Sequence, residues 1–304
     1  MSDHPQKPSV FASKTVLPDA ALTKRSRTLL GFTDRYNRVR DRLRLIFRLS
    51  ELPKWSKKHH GELIPLCDLI ADQYPLIIFH GDVGTGKTVT AEGVANNMVA
   101  EAGEAADESI LFKLSTRVRG SGKVGEMGTL LNEAFAEVVK SAGKTRRAIL
   151  IIDEGDSLAS KRSQEHSHHE DKVAVNTLIQ HIDELRQYNG RILVFLCTNR
   201  LGVLDAALMR RAAFIELFKR PTDHERLELF RQDLAGLKFK DEGFEALVAA
   251  TATGGDAKPP WTFSDMRTRL YPAALSKAFP DSPLTLDHFL KAAVEIEPSP
   301  LMED

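Results

Sequence analysis

Short, uninterrupted apolar runs recur through the first two thirds of the chain: PLIIFHG (75–81), ILFKL (110–114), AILIIDE (148–154), RILVFLCTN (191–199) and AFIELF (213–218). Runs of this length without polar alternation fit strands covered on both faces. Helical patterns separate them, at Gly86–Met98, Glu126–Val139 and Lys172–Leu185. Strands alternating with helices predict a parallel α/β sheet with helices on both faces. The pattern stops at Pro221. Beyond it, HERLELFRQDL, FEALVAATA, SDMRTRLYPAALSKAF and LDHFLKAAVEI are all helical, interrupted at GGDAKPP. The expected organisation is an α/β domain over 75–222 and a small all-helical domain over 223–304. Ahead of both, residues 1–30 are polar, carry Pro5, Pro8 and Pro18, and predict a flexible arm. RDRLRLIFRL (40–49) then sets Leu43, Ile46, Phe47 and Leu49 among arginines, a basic amphipathic helix packed on the domain that follows.

Bulk charge adds little, because 42 basic and 42 acidic residues cancel. Any nucleic-acid contact would need a local basic surface, so a nucleic-acid partner is not the expectation. Cys67 and Cys197 sit in apolar contexts (IPLCDLI, VFLCTNR) and read as small buried hydrophobes in a reducing compartment. No apolar run reaches membrane-spanning length, and MSDHPQKPSV has no apolar signal core. The expectation is a cytoplasmic protein with no membrane contact.

The chemistry starts at GDVGTGKT (81–88), which carries the P-loop spacing between a buried strand and a helix. Gly81, Asp82, Val83, Gly84, Thr85 and Gly86 supply backbone N–H groups for phosphates at a helix N-terminus. Lys87 would neutralise the β- and γ-phosphates of ATP, and the Thr88 hydroxyl would ligate Mg²⁺. A second strand, ILII, ends in Asp153 and Glu154 and delivers both acids to the same sheet edge. Asp153 is the expected Mg²⁺ partner, and Glu154 the base or orienter for an attacking water. The pair points to hydrolysis rather than nucleotide holding alone. A regulatory nucleotide switch has no need of Glu154.

VFLCTNRLGVLDAALMRR (194–211) runs from a strand through Thr198-Asn199 to a pair of arginines. In this order it resembles the AAA+ ATPases. The resemblance implies that Asn199 is the sensor for the lytic water. It also makes Arg211, with Arg210 as the second candidate, an arginine finger acting on a neighbour's nucleotide, hence a homo-hexameric ring. The C-terminal part resembles the AAA+ lid, whose third helix carries a sensor arginine. Arg267 is the expected residue, with Arg269 the alternative register.

Within AAA+, SGKVGEM (121–127), LIIDEGDSLASKR (150–162), KVAVNTLIQHIDELRQYNGRILVFLCTN (172–199), LMRRAAF and RTRLYPAAL resemble the pachytene-checkpoint type, the remodellers of HORMA-domain proteins. Compact bacterial members of that type accompany HORMA proteins and synthases of cyclic-oligonucleotide signals in CBASS antiphage defence. The resemblance thus implies a HORMA-domain partner, in turn bound to a cyclic-oligonucleotide synthase. Only residues 1–74 precede the sheet, too few for the substrate-holding domain of the eukaryotic relatives. STRVRGSGK (115–123) takes the place of the substrate-gripping pore loop, with Val118 between Arg117 and Arg119 where an aromatic is usual. SQEHSHHEDK (163–172) would lie on a second pore loop, and its irregular histidine spacing suits a solvated loop better than a metal site. The competing reading is a nucleic-acid AAA+ factor, a helicase loader or transposition helper, drawn from the basic pore loop and the arginine-rich helix.

Overall fold

The computed structural model describes residues 9–103, 108–119, 126–144, 146–158, 169–252 and 258–302. Six strands form one sheet: β1 (Phe11–Leu17), β2 (Leu76–Gly81), β3 (Ser109–Leu114), β4 (Ala148–Ile152), β5 (Ile192–Thr198) and β6 (Ala212–Phe218). Their spatial order is β1-β3-β4-β5-β2-β6, parallel throughout except for β1, which runs antiparallel to β3. Helices α1 (Ala20–Arg27), α2 (Phe32–Phe47), α3 (Leu52–His60) and α4 (Pro65–Ala71) precede β2. After it, α5 (Lys87–Ala102), α6 (Glu126–Ala142) and α7 (His169–Leu185) alternate with the strands, and the short α8 (Ala206–Met209) leads into β6.

Side-chain alternation along the strands divides the interior into two layers. Ile78, Leu150, Ile152, Val194 and Leu196 pack on one face with Leu131 and Phe135 of α6 and Leu178 and Ile182 of α7. Ile77, Phe79, Ile149, Ile151, Leu193 and Phe195 pack on the other with α2 and α5. The sequence therefore reads continuous because both faces are covered. A separate core joins α9 (Asp223–Asp233), α10 (Asp241–Ala250), α11 (Tyr271–Ala278) and α12 (Leu286–Glu295) around Phe230, Leu247, Trp261, Leu270 and Phe289. A π-helical turn, Asp265–Leu270, leads into α11. Among the described residues no helix is long and apolar enough to cross a membrane.

Two expectations change. The segment read as a flexible arm is structured from residue 9 onward. β1 covers the free edge of β3, burying Phe11 and Leu17, and Phe11 lies 4.8 Å from Phe112. Only those two side chains of the strand are buried, six residues apart, so no period of two shows in the sequence. The pairing itself removes an exposed parallel edge. The basic helix also begins earlier than expected, at Phe32. Phe32, Tyr36, Val39, Leu43, Ile46 and Phe47 form its buried stripe; of its arginines, Arg35 is largely buried, its guanidinium over the Phe218 and Phe263 rings.

Leu17 is 1 % exposed, so Leu17→Ala is expected to destabilise the fold by about 3 kcal/mol. Urea unfolding followed by circular dichroism measures this. An unchanged midpoint would restore the flexible-arm reading.

Candidate active site

β2 ends at Gly81, whose φ of +137° and tight approach to the Phe218 carbonyl exclude a side chain. The chain turns through Asp82–Gly86 into α5, whose first N–H groups have no side-chain cap and form an anion cradle. The buried Lys87 folds back over this loop, its Nζ donating to the carbonyls of Gly81 (2.7 Å) and Asp82 (2.8 Å). Burial holds the ammonium below the usual lysine pKa. Thr85 is wholly buried and its hydroxyl donates to the Asp82 carbonyl at 2.8 Å, fixing the turn from beneath, whereas Val83 stands out at 42 % exposure.

β4 and β5 supply the other wall. The Thr88 hydroxyl donates to Asp153 Oδ2 at 2.9 Å, across 65 residues of sequence. These two oxygens line one cleft of about 480 Å³ together with Lys87. A hydroxyl and a carboxylate so paired are the hard donors that Mg²⁺ prefers, and the site fits that ion. Asp153 Oδ1 accepts the Glu154 N–H at 3.0 Å. Glu154 itself lies in the left-handed region, φ +53° and ψ +48°, an uncommon conformation for a residue with a Cβ. Its exposed side chain and that of Asn199 both line the cleft.

Asp156 was not singled out from sequence. It accepts from Thr198 Oγ1 at 3.0 Å and from the Asn199 N–H at 3.4 Å, tying the turn after β4 to the end of β5. The turn after β4 also packs on β5 itself at Gly155, where an added Cβ would lie 2.7 Å from the Leu196 side chain. The only local signal was an acid three residues after Asp153, indistinguishable from a surface carboxylate.

The helical domain closes the cleft with Phe263, Ser264, Arg267 and Thr268. Of the two candidate lid arginines, Arg267 lines the cleft and Arg269 does not. Asp233 takes the Arg267 guanidinium in two hydrogen bonds, 2.7 and 2.8 Å, which raise its pKa, and the Thr28 carbonyl accepts a third at 3.1 Å. Arg269 instead reaches Asp265 at 3.5 Å. Arg25, Thr28 and Leu29, from the segment expected to be flexible, line the same cleft.

The remaining expectations fare differently. Neither Arg210 nor Arg211 lines the cleft. Arg211 is held by Asp183 of α7 in a two-pronged pair (2.5 and 2.9 Å), donates to the Ala207 carbonyl, and lies 5.5 Å over the Tyr74 ring. Arg210 is exposed, and among the described residues no ion pair engages it. Val118 is a correction: it is wholly buried in the core with Leu131 and Leu158, and so cannot be the apolar contact for a substrate. Its flanks explain the misreading, since a valine between two arginines gives no local sign of burial. The backbone of Thr116–Arg119 forms a short 3-10 turn at the end of β3. The rest of that loop (120–125) and the histidine cluster at 163–168 lie outside the described residues, as do the side chains of Arg117, Arg119 and residues 169–172. Cys67 and Cys197 are buried free thiols, and burial pushes Cys197 up to about 12.

Comparison with known proteins agrees with this geometry. Residues 77–220 match the ATPase family associated with various cellular activities (AAA). The chain is 58 % identical to CD-NTase-associated protein 6 of Escherichia coli (strain KTE188) over 298 residues, covering 98 % of this chain and 99 % of that one. Among solved structures it superposes on one described as the E. coli MS115-1 HORMA:CdnC:Trip13 complex, with TM-score 0.86 and 33 % identity, covering 98 % of this chain and 100 % of the matched chain. C. elegans PCH-2 shares the fold at TM-score 0.72 and 20 % identity, over 96 % of this chain and 77 % of that one. The chain belongs to the AAA ATPase family, among the relatives named CD-NTase-associated protein 6 and Trip13.

Proposed function

We propose that this protein is an ATP-driven remodeller that pulls on a segment of a HORMA-domain partner, and thereby separates it from a cyclic-oligonucleotide synthase. The working form is a homo-hexameric ring, with the partner's segment threaded through its pore. The observation that carries this reading is one cleft holding the parts for hydrolysis, Lys87, Thr88–Asp153, Glu154, Asn199 and Arg267. The likeness along the full chain to a protein solved with HORMA and CdnC supports the choice of partner.

In this reading the loop amides and Lys87 bind the ATP phosphates, and the lid excludes water while Arg267 meets the nucleotide from the opposite wall. Thr88 and Asp153 would hold Mg²⁺, which neutralises phosphate charge when bound. Glu154 accepts the proton of the attacking water, and Asn199, its backbone braced by Asp156, orients that water. Arg210, exposed and in no ion pair among the described residues, is the residue we assign to the neighbour's nucleotide, with Arg211, which would first have to leave Asp183, as the alternative. Arg211 then anchors the turn from which Arg210 projects. The 116–119 turn is the proposed substrate contact, with Val118 as its buried anchor.

Lys87→Ala is expected to abolish nucleotide binding in a fluorescent-nucleotide titration, and near-normal affinity would show that the cradle is elsewhere. Glu154→Gln is expected to retain ATP and to slow steady-state turnover by roughly 10²-fold or more. The same variant, loaded with ATP, is expected to retain the HORMA-domain protein in a pull-down, and release as fast as from wild type would remove the remodelling step.

Arg210→Ala is expected to bind ATP yet lose turnover, and mixing it with Lys87→Ala subunits should recover part of the activity. The measurement is the ATPase rate of mixed against unmixed samples. Recovery with Arg211→Ala but not with Arg210→Ala would reverse the assignment, and recovery with neither would remove action across subunits.

A further inference from the structure

The acid inside the phosphate cradle calls for a physical explanation. Asp82 follows Gly81 directly, so its carboxylate sits beside the loop that receives phosphates, where an unpaired negative charge would repel them. It is not unpaired. Arg220, whose side chain is only 6 % exposed, donates from Nε to Asp82 Oδ2 at 2.7 Å. The Met302 N–H donates to Asp82 Oδ1 at 3.0 Å.

Arg220 lies between β6 and α9, where the chain passes from the sheet to the helical domain. Its other two nitrogens donate to backbone carbonyls, Nη1 to Pro260 at 2.8 Å and Nη2 to Pro300 at 2.6 Å. One guanidinium therefore joins the P-loop, the start of the lid's cleft-facing segment and the chain beyond α12. That last stretch is fastened a second time. Ser299 donates through its hydroxyl (2.6 Å) and its N–H (3.2 Å) to Asp265, the buried acid at the head of the turn that carries Arg267. The Ser264 N–H, in turn, donates to the Gly84 carbonyl at 3.2 Å, and the fit there is tight enough that a Cβ on Gly84 would lie 2.5 Å from Thr262 Oγ1.

Resting on the ATP-site reading above, we propose that Arg220, Asp82 and the Ser299–Met302 segment are positioning residues for nucleotide. They clasp the P-loop to the lid and cancel the Asp82 charge, so that the closed cleft retains ATP. None of them needs to touch a reacting atom. Loosening the clasp weakens nucleotide retention and leaves the chemical step intact, so KM rises while kcat is kept, or increases where lid opening limits release.

Three variants test this by steady-state ATPase kinetics and titration with a fluorescent ADP. Arg220→Gln removes the charge that neutralises Asp82 and is expected to raise KM on the order of tenfold with kcat retained. Adding Asp82→Asn to it removes the uncompensated carboxylate and should restore most of the affinity, a rescue that a merely structural role does not give. Met302→Pro deletes a single N–H and is expected to raise KM on the order of threefold, with Met302→Leu at wild-type values. Met302→Pro keeps the test open should Arg220→Gln fail to fold. Wild-type KM in both Arg220→Gln and Met302→Pro, or a fall in kcat at unchanged KM, overturns the proposal. A wild-type protein that neither binds nor hydrolyses ATP would instead overturn the site reading on which it rests.

Discussion

β5 pairs with β4 on one side and with β2 on the other, and the site depends on that placement. Parallel strands about 4.8 Å apart bring three C-terminal ends within roughly 10 Å of one another. The P-loop leaves the first, Asp153 and Glu154 the second, and Asn199 the third. Segments separated by 65 residues then meet in one hydrogen bond, between Thr88 and Asp153. A one-residue register slip in this trio would exchange the side chains of its two buried faces and part those oxygens. The two apolar layers on either face of the sheet hold that register, and so they hold the site.

The lid is the second constraint. It meets the cleft through close contacts at Gly84 and through Arg267, whose guanidinium Asp233 and the Thr28 carbonyl hold. The cleft thus lies between the sheet edge and a helical unit with its own core. The segment from α1 belongs to the same enclosure, because Arg25, Thr28 and Leu29 complete the cleft.

What the sequence made legible follows from locality. The P-loop and the Asp153–Glu154 pair each lie within a few residues of a buried strand and stood out by spacing, whereas Thr198-Asn199 stood out through the resemblance to the AAA+ motif order. The doubly covered sheet was equally plain from its unbroken apolar runs. β1 was not legible, because Phe11 and Leu17 are its only buried side chains. Asp156, Asp183 and Arg220 act through partners 28 to 138 residues away, and such pairings leave no local trace. Val118 looked like a gripping residue because its arginine neighbours suggested a surface, whereas its own side chain fills the core beneath α6. The Arg211–Asp183 pair likewise left no local sign in LMRR.

The central claim is that hydrolysis in this cleft separates a HORMA-domain protein from its synthase. The direct measurement labels those two proteins with a donor and an acceptor dye and follows energy transfer as this protein and ATP are added. The account predicts loss of transfer with ATP and preserved transfer with ADP or a non-hydrolysable analogue. Transfer that survives active ATP turnover, or is lost equally without hydrolysis, would contradict it.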